Sequence, residues 1–192
     1  MKKFVETIKN IWSIEDLRMR ILWTIVFALV YRFGSFVVLP GIDPMALSAL
    51  HQQTSGGLMS LLNAFSGGAF SNASVFALGI MPYISASIVM QLFTLAVPSF
   101  QKMQREGESG RRKINFYTRC LTIVILLFQG WAYLLNLKYQ AAGALSPGIT
   151  WTEFRLSSLF MLAGGSMFIL WLGERITDRG IGNGVSLIIM LG

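Results

Sequence analysis

Four apolar runs of about 20 residues each constrain this chain more than any other feature, because roughly that length of helix crosses a hydrocarbon core of about 30 Å. They cover approximately residues 21–40, 73–97, 116–137 and 156–173. A fifth run begins at Val185 and continues to Gly192. The sequence therefore predicts an all-α, polytopic membrane domain over residues 21–192, preceded by an N-terminal segment of residues 1–20.

Composition and the single cysteine argue against several other classes of protein. Hydrophobic residues make up 54% of the chain and charged residues only 13%, which is unusual for a soluble domain. Cys120 is the only cysteine, so a site built on paired cysteines cannot form. The net charge of +7 would suit nucleic acid, but the basic residues lie between the apolar runs. We expect no cofactor, no metal and no specific nucleic-acid partner.

The basic residues predict the orientation, because Lys and Arg are retained in the cytoplasm. Thirteen of them fall in the N-terminal tail and in the connections after the second and fourth runs, whereas Lys138 and Arg155 fall on the other side. The thirteen are Lys2, Lys3, Lys9, Arg18, Arg20, Lys102, Arg105, Arg111, Arg112, Lys113, Arg119, Arg175 and Arg179. This asymmetry predicts a cytoplasmic N-terminus. The first run is too long and begins too late for a cleaved signal peptide, so it should remain as a membrane anchor.

Arg32 lies inside the first run, where a charge at the membrane centre costs about 2.5–3.5 kcal/mol on insertion scales. Two interpretations stay open. The long side chain can snorkel to the outer surface, or it can make a buried contact that organises the interior of the protein.

A stretch without charge follows the first run. Residues 44–101 contain no Asp, Glu, Lys or Arg, although part of the stretch should lie outside the membrane. Apolar side chains at helical spacing predict a short amphipathic helix over residues 58–71, with Ser66, Gly67 and Gly68 as a flexible stop. Those side chains are Leu58, Leu61, Leu62 and Phe65. The helix is too short to span, so it either lies flat on the outer leaflet or folds back between the other helices.

Several motifs resemble those of one family of membrane proteins. Residues 31–36 read YRFGSF, 39–43 LPGID, 65–69 FSGGA, 76–88 FALGIMPYISASI, 106–114 EGESGRRKI and 171–184 WLGERITDRGIGNG. In this order and spacing, across nearly the whole chain, they are similar to the motifs of the SecY family of protein-conducting channels.

The resemblance implies a clam-shaped channel of ten helices in the bacterial plasma membrane, with helices one to five forming one half. It implies that residues 58–71 form a plug helix that closes the channel from outside, with Gly67 and Gly68 as its hinge. Because the sequence ends where the fifth helix has barely begun, we expect a fragment or one piece of a divided channel, without the second half of the lateral gate.

The implied function is that of the central channel subunit. It translocates unfolded secretory proteins and releases transmembrane segments sideways into lipid through a lateral gate. The implied partners are SecE and SecG in a heterotrimer, the SecA motor or the ribosome on the cytoplasmic face, the translocating polypeptide with its signal sequence, and membrane lipid.

An aliphatic ring at the waist of the pore is the first site that the resemblance implies. Ile80 and Ile84 are four residues apart and share a helix face, and Val185 and Ile189 repeat that spacing. A hydrophobic constriction blocks ions by dewetting, yet it makes no specific polar contact with a passing chain. Val185 is smaller than the isoleucine usual in the family, which loosens the ring slightly. Taken alone, such pairs also fit helix packing or lipid contact.

Two further sets of residues have both a general and a family interpretation. Ser87, Gln91 and Gln129 are typical of hydrogen bonding between membrane helices, and by resemblance they belong to the lateral gate. The basic residues of the cytoplasmic connections fit a topogenic or phospholipid-binding role, and by resemblance they dock SecA or the ribosome. They are Lys102, Arg105, Arg111, Arg112, Lys113, Arg175 and Arg179.

Catalysis is not expected, because the runs lack the paired acids, or the nucleophile with a base, that an intramembrane hydrolase needs. Glu174 and Asp178 lie beside two arginines, where ion pairing explains them. The glycines of residues 180–184 are not followed by the Gly-Lys-Ser/Thr of a phosphate loop. They predict a tight turn before the fifth helix, with Asn183 or Gly184 as its cap. Half of a secondary transporter, and a module that conducts nothing, are the alternative functions.

Overall fold

The computed structural model describes residues 12–43, 61, 63–64, 66–140 and 150–191. That part of the chain holds six named helices: α1 (Glu15–Gly34), α2 (Met81–Ala96), α3 (Pro98–Arg105), α4 (Glu108–Gln140), α5 (Trp151–Arg179) and α6 (Gly184–Leu191). The same residues contain no strand, and an isolated antiparallel bridge joins Val38 and Ser74. The prediction of an all-α chain is confirmed.

The helices differ in their capacity to span a membrane. By length and composition, α4 with 33 residues and α5 with 29 can each cross one. Within the described residues, α2 together with α3 is a third candidate if this bent pair counts as one span. α1 has 20 residues and carries charged side chains near both ends. Four complete spans therefore remain a prediction.

α1 lies earlier in the chain than the predicted run of residues 21–40. Glu15 and Asp16 occupy its first turn, where acidic side chains interact favourably with the positive end of the helix dipole. Arg32 lies in its last turn, at the end that favours a cation. The acidic residues before the apolar run are thus part of the helix.

α2 begins at Met81 instead of residue 73. Residues 66–80 form consecutive turns, and several of them have a positive φ angle. These are Gly67, Gly68, Ala73 and Gly79. Apolar composition did not distinguish these buried turns from a membrane helix, because turns and helices in the interior contain the same kinds of side chain.

The turns of residues 66–80 find hydrogen-bond partners just after α1. The Leu39 N–H donates to the Ala73 carbonyl oxygen, and the Val75 N–H donates to the Val37 carbonyl oxygen, both at 2.9 Å. Non-helical backbone is tolerated at membrane depth only where the protein or enclosed water satisfies its polar groups. The chain after α1 therefore stabilises the turns of residues 66–80, whose conformation would otherwise be unfavourable.

Pro98 sets the boundary between α2 and α3. Proline has no backbone N–H and clashes with the preceding turn of a helix, and Val97 before it is extended, with φ −106° and ψ 118°. Pro98 instead begins α3, which is bent from α2 by 98°. The predicted end of the second run, at residue 97, agrees with this break.

Two connections predicted as loops are largely helical. Residues 98–115 form α3, a turn and the start of α4, and α5 continues to Arg179, beyond the predicted end at residue 173. Arg112 pairs with Glu108 at 2.8 Å along the start of α4. Charged side chains can reach water while the helical backbone remains hydrogen-bonded, so they end an apolar run without ending its helix.

The helices pack around two clusters of buried apolar side chains. α4 packs on α2 and α5, and α5 also packs on α1 and α6. The first cluster contains Leu39, Ile42, Phe70, Ala73, Ala77, Leu78, Leu126, Tyr133, Leu134, Leu137, Phe154 and Leu162. The second cluster contains Tyr31, Ala69, Phe76, Ile80, Ile169, Leu172, Ile176 and Ile188.

Large apolar side chains also cover the outer faces of the helices. Phe33 of α1, Phe128 of α4 and Phe160 of α5 are 74%, 76% and 69% exposed. Many other large apolar side chains on these helices are exposed as well, which is unusual for a protein surrounded by water. This surface is typical of contact with lipid or with other membrane helices.

Gly165 allows α5 to approach the turns of residues 66–80. A Cβ atom at this position would lie against the Val75 carbonyl oxygen and 2.8 Å from the Val75 Cγ1. Small residues are common at such contacts in membranes, where close packing drives the association of helices.

We predict that Gly165→Ala destabilises the folded protein by about 1–3 kcal/mol, because the new methyl group overlaps Val75. Gly164→Ala is the matched control: nothing lies within 4 Å of a Cβ atom at Gly164, and alanine favours the helix by about 1 kcal/mol. Thermal unfolding in detergent measures both variants. Equal stability of the two would contradict the close packing at Gly165.

Candidate functional site

The second cluster brings together the four aliphatic residues predicted for the pore ring. Ile80 is one of its buried members, and Ile84, Val185 and Ile189 pack against it. Ile80 is 2% exposed, while the other three are half-buried. Two of the side chains come from the start of α2 and two from α6, so both helices contribute to the cluster.

Ile80 lies at the N-cap of α2, not on its helical face. Its carbonyl oxygen accepts a hydrogen bond from the Ile84 N–H at 3.1 Å, so the two side chains still lie one turn apart. In α6, Ile188 is only 1% exposed. The spacing of Val185 and Ile189 did not indicate that burial.

Tyr31 and Phe76 belong to the same cluster, although the sequence did not assign them to a site. Their rings stack with centroids 6.2 Å apart. Gly34 makes room for this contact, because a Cβ atom there would overlap the Phe76 ring. The spacing of Tyr31 and Gly34 on α1 was visible in the sequence. Their partner, Phe76, lies far along the chain, so the sequence did not indicate the contact.

Polar side chains from three parts of the chain hold the turn that leads into α6. The Ile181 N–H donates to Thr24 Oγ1 at 3.1 Å, and the first N–H of α6 donates to Thr177 Oγ1 at 2.9 Å. Asn183 caps α6, since its Oδ1 accepts from the Val185 N–H at 3.0 Å. The prediction of Asn183 as a cap is confirmed. α1 and α5 thus both position Val185.

A Schellman motif at Gly67 ends the helical part of the predicted plug segment. The Gly67 N–H donates to the Ala64 carbonyl oxygen at 3.2 Å, and the Gly68 N–H donates to the Asn63 carbonyl oxygen at 3.0 Å. These are the two hydrogen bonds of the motif. Gly67 has φ +66°, which glycine adopts without strain. The helix stops where the two glycines predict, and their role as a hinge stays a prediction.

The predicted plug side chains are only partly described. Leu58, Leu62 and Phe65 lie outside the described residues. Leu61 is helical and 59% exposed, whereas Ser66 is buried.

After the glycines, the chain is anchored on α4. The Tyr133 hydroxyl donates to the Phe70 carbonyl oxygen at 2.9 Å, and the two rings meet edge to face with centroids 4.9 Å apart. Ser66 Oγ accepts from the Phe70 N–H at 3.0 Å, and Asn63 Oδ1 accepts from the Ser71 N–H at 3.1 Å. Movement of the segment before Gly67 would therefore break the side-chain hydrogen bonds of Asn63 and Ser66, while the contact of Tyr133 with Phe70 could remain.

Arg32 contacts the glycine turn. Its Nη1 donates to the Gly67 carbonyl oxygen at 3.1 Å, and its guanidinium lies 5.8 Å from the centroid of the Phe36 ring. The structure thus provides a protein contact for this side chain, but the side chain is exposed and not buried as the second interpretation expects. Its position in the last turn of α1 also leaves it exposed at a helix end.

The three lateral-gate candidates lie in two places. Gln91 donates to Ser87 Oγ at 3.3 Å within α2, and both line a cavity of about 240 Å³ between α2 and α4. Gln129 lines a different, mainly apolar cavity of about 290 Å³ beside Phe70 and Tyr133. The structure does not bring Gln129 to the other two.

A polar cavity of about 260 Å³ lies beside the second cluster, between α2, α4, α5 and α6. Arg119 of α4 and Glu174 of α5 line it and form an ion pair at 2.6 Å. Tyr83 and Thr118 line both this cavity and the one that Ser87 lines. The sequence suggested that Glu174 pairs with a neighbouring arginine, but its partner is on another helix.

The predicted docking residues have varied surroundings. Lys113 pairs with Glu106 at 3.5 Å, while Arg175 and Arg179 lie over Trp171 and Trp23. Among the described residues, no carboxylate forms an ion pair with Lys102, Arg105 or Arg111. Exposed ion pairs contribute little to stability, so these residues are available for a partner or for lipid.

No three His, Cys, Asp or Glu side chains are gathered as a metal site in the described part of the chain. His51 lies outside it.

Comparison with known proteins identifies the family. The sequence profile of the SecY family matches residues 74–192. The chain belongs to the SecY family. The resemblance seen in the motifs is confirmed, and the chain is a membrane protein.

Curated SecY proteins match almost the whole chain. Protein translocase subunit SecY of Escherichia coli strain K12 is 47% identical over 183 residues, which cover 94% of this chain and 41% of that protein. The SecY subunit of Buchnera aphidicola subsp. Acyrthosiphon kondoi is 46% identical, covering 94% of this chain and 51% of that protein. The chain thus spans between two fifths and about half of these SecY proteins.

Solved channel structures share the fold. Sec61 in the canine ribosome-channel complex from the endoplasmic reticulum matches with a TM-score of 0.60 and 19% identity, covering 91% of this chain and 36% of that one. A structure described as a protein conducting channel matches with a TM-score of 0.59 and 20% identity, with the same coverage. The all-α fold is therefore the SecY and Sec61 channel fold.

For this SecY-family chain, we predict that Thr177→Val destabilises the turn before α6 by about 1–2 kcal/mol, because a buried N–H loses its acceptor. Thr122→Val is the matched control, since the Thr122 hydroxyl bonds only to the Thr118 carbonyl oxygen of its own helix. Hydrogen exchange of residues 181–187 reports the change. Equal exchange in the two variants would show that Thr177 does not hold the turn.

Proposed function

We propose that this chain forms the N-terminal half of the channel subunit of a bacterial protein translocase, in the plasma membrane with its N-terminus in the cytoplasm. The convergence of Ile80, Ile84, Val185 and Ile189 in the second cluster is the observation that carries the proposal. The names of the related SecY proteins and of the two solved channels support it. The subunit acts as a channel and not as an enzyme.

In this function, the four aliphatic side chains form one side of the pore constriction. Aliphatic groups bind ions and water poorly, so a narrow ring of them dewets and blocks ions. They also lack directional hydrogen bonds, so an unfolded polypeptide of any sequence can pass. The second half of the subunit supplies the opposite side of the ring.

Residues 58–71 act as the plug that closes this constriction from outside. The Schellman turn at Gly67 supports this role, because it ends the plug helix at a point where the following chain is anchored on α4. A helix without charge can enter and leave an aliphatic pore at low desolvation cost. The plug then moves about Gly67 and Gly68.

The remaining assignments concern the gate and the partners. Ser87, Gln91 and Gln129 contribute to the lateral gate, through which signal sequences and transmembrane segments reach lipid. SecE and SecG complete the heterotrimer, and SecA or the ribosome binds the basic cytoplasmic face. The basic residues without an ion pair support this docking role; they are Lys102, Arg105 and Arg111.

A photo-crosslinking amino acid tests the pore assignment in the intact translocase. At Ile84, we predict adducts with a secretory chain stalled during transport, because this side chain lines the constriction. At Ile123, which is 43% exposed on α4, we predict none. Labelling at Ile84 by a small solute, without any adduct to the stalled chain, would favour a transporter instead.

Deletion of residues 58–65 tests the plug while keeping residues 66–71 and the hydrogen bond from Tyr133 that anchors Phe70 on α4. We predict a severalfold rise in ion conductance of the reconstituted translocase, because the constriction alone seals less well than the constriction with its plug. Deletion of residues 141–148, in the connection between α4 and α5, is the control of equal length. Unchanged conductance in both deletions would favour a helix that lies on the membrane surface.

A further inference from the structure

We propose that Arg32 is the latch that holds the plug closed, through its hydrogen bond to the Gly67 carbonyl oxygen. The inference rests on the proposed plug function of residues 58–71. It adds the residue that holds the plug in its closed position. It requires that the bond join a fixed part of the protein to the joint about which the plug turns.

The bond itself is specific. Arg32 Nη1 lies 3.1 Å from the Gly67 carbonyl oxygen, 35 residues along the chain. No carboxylate of the described residues forms an ion pair with Arg32, so this carbonyl is its polar partner there. Hydrogen bonds from an ionised donor are stronger than neutral ones.

Arg32 projects from a fixed element. The neighbouring Tyr31 is 1% exposed and stacks on Phe76, and Gly34 lets the same ring lie directly against α1. Just beyond, residues 37–39 bond to residues 73–75. The last turn of α1 therefore cannot follow the plug when it moves.

The Gly67 carbonyl lies at the joint. Relative to the chain anchored after it, the direction of this carbonyl depends on the torsion angles of Gly68, which has a positive φ. A rotation at Gly68 that swings the preceding helix turns the carbonyl away from Arg32. Opening the plug at Gly68 thus breaks the bond, and the bond opposes that opening.

Arg155 provides a matched control. It also lies on a membrane helix, and its guanidinium stacks over the Trp131 ring at 4.2 Å from the centroid. Within the described residues, the Arg155 side chain donates no hydrogen bond to a backbone carbonyl, whereas Arg32 does. Removing either charge changes the net charge equally, but only Arg32 contacts the glycine turn.

The test compares Arg32→Met, Arg32→Lys and Arg155→Met in the intact reconstituted translocase. We expect about tenfold faster amide exchange at residues 66–71 in Arg32→Met, from the loss of one charge-assisted hydrogen bond, together with a higher ion conductance. Arg32→Lys should lie between Arg32→Met and the unchanged protein, and Arg155→Met should change neither measurement. Combining Arg32→Met with deletion of residues 58–65 should conduct no more than the deletion alone.

Three results would overturn the latch. The first is unchanged exchange at residues 66–71 in Arg32→Met, and the second is faster exchange without added conductance when the deletion itself conducts. A combined variant that conducts more than the deletion alone also contradicts it, because Arg32 would then act apart from the plug. If the deletion does not conduct, the plug function itself fails, and with it the basis of the latch.

Discussion

The satisfaction of buried backbone groups in residues 66–80 is the constraint on which the rest of this structure depends. This segment lies between α1 and α5 in a sequence of turns, a conformation that lipid would not tolerate. Leu39 and Val37 supply hydrogen-bond partners to Ala73 and Val75. Gly165 lets α5 close over the other side. Without these neighbours, the apolar sequence before Met81 would have reason to extend α2 as an ordinary helix.

The irregular segment determines where the candidate pore residues lie. Because α2 begins only at Met81, Ile80 and Ile84 lie at the start of a helix, in the same cluster as side chains of α6. α6 is placed by side chains from α1 and α5 at the turn before it, through Thr24 and Thr177. The four aliphatic ring residues thus come from the starts of two helices, and the start of α6 is fixed by polar contacts just outside the cluster.

Sequence reasoning was most accurate where a residue has a local effect on the backbone. Pro98 ends α2, and Asn183 caps α6, because both act on their immediate neighbours. It was least accurate where charge or polarity was taken as the end of a helix. α4 and α5 extend through charged residues, and Glu174 finds its partner on α4 and not beside it in the chain. The gate candidates show the same limit, since Gln129 lines a different cavity from Ser87 and Gln91.

The sequence by itself determined the class of this protein. Long apolar runs, glycine and proline at helix ends, and the family motifs are all local features. Each can be recognised from a short contiguous stretch of sequence. Only the tertiary structure decided that residues 73–80 are turns, that Ile188 is buried beside the ring residues, and that Arg32 reaches Gly67. Those outcomes depend on which distant segment supplies a carbonyl, an N–H or an empty space beside a glycine. Periodicity and composition carry no information about such a partner, because it is set by the packing of the whole chain.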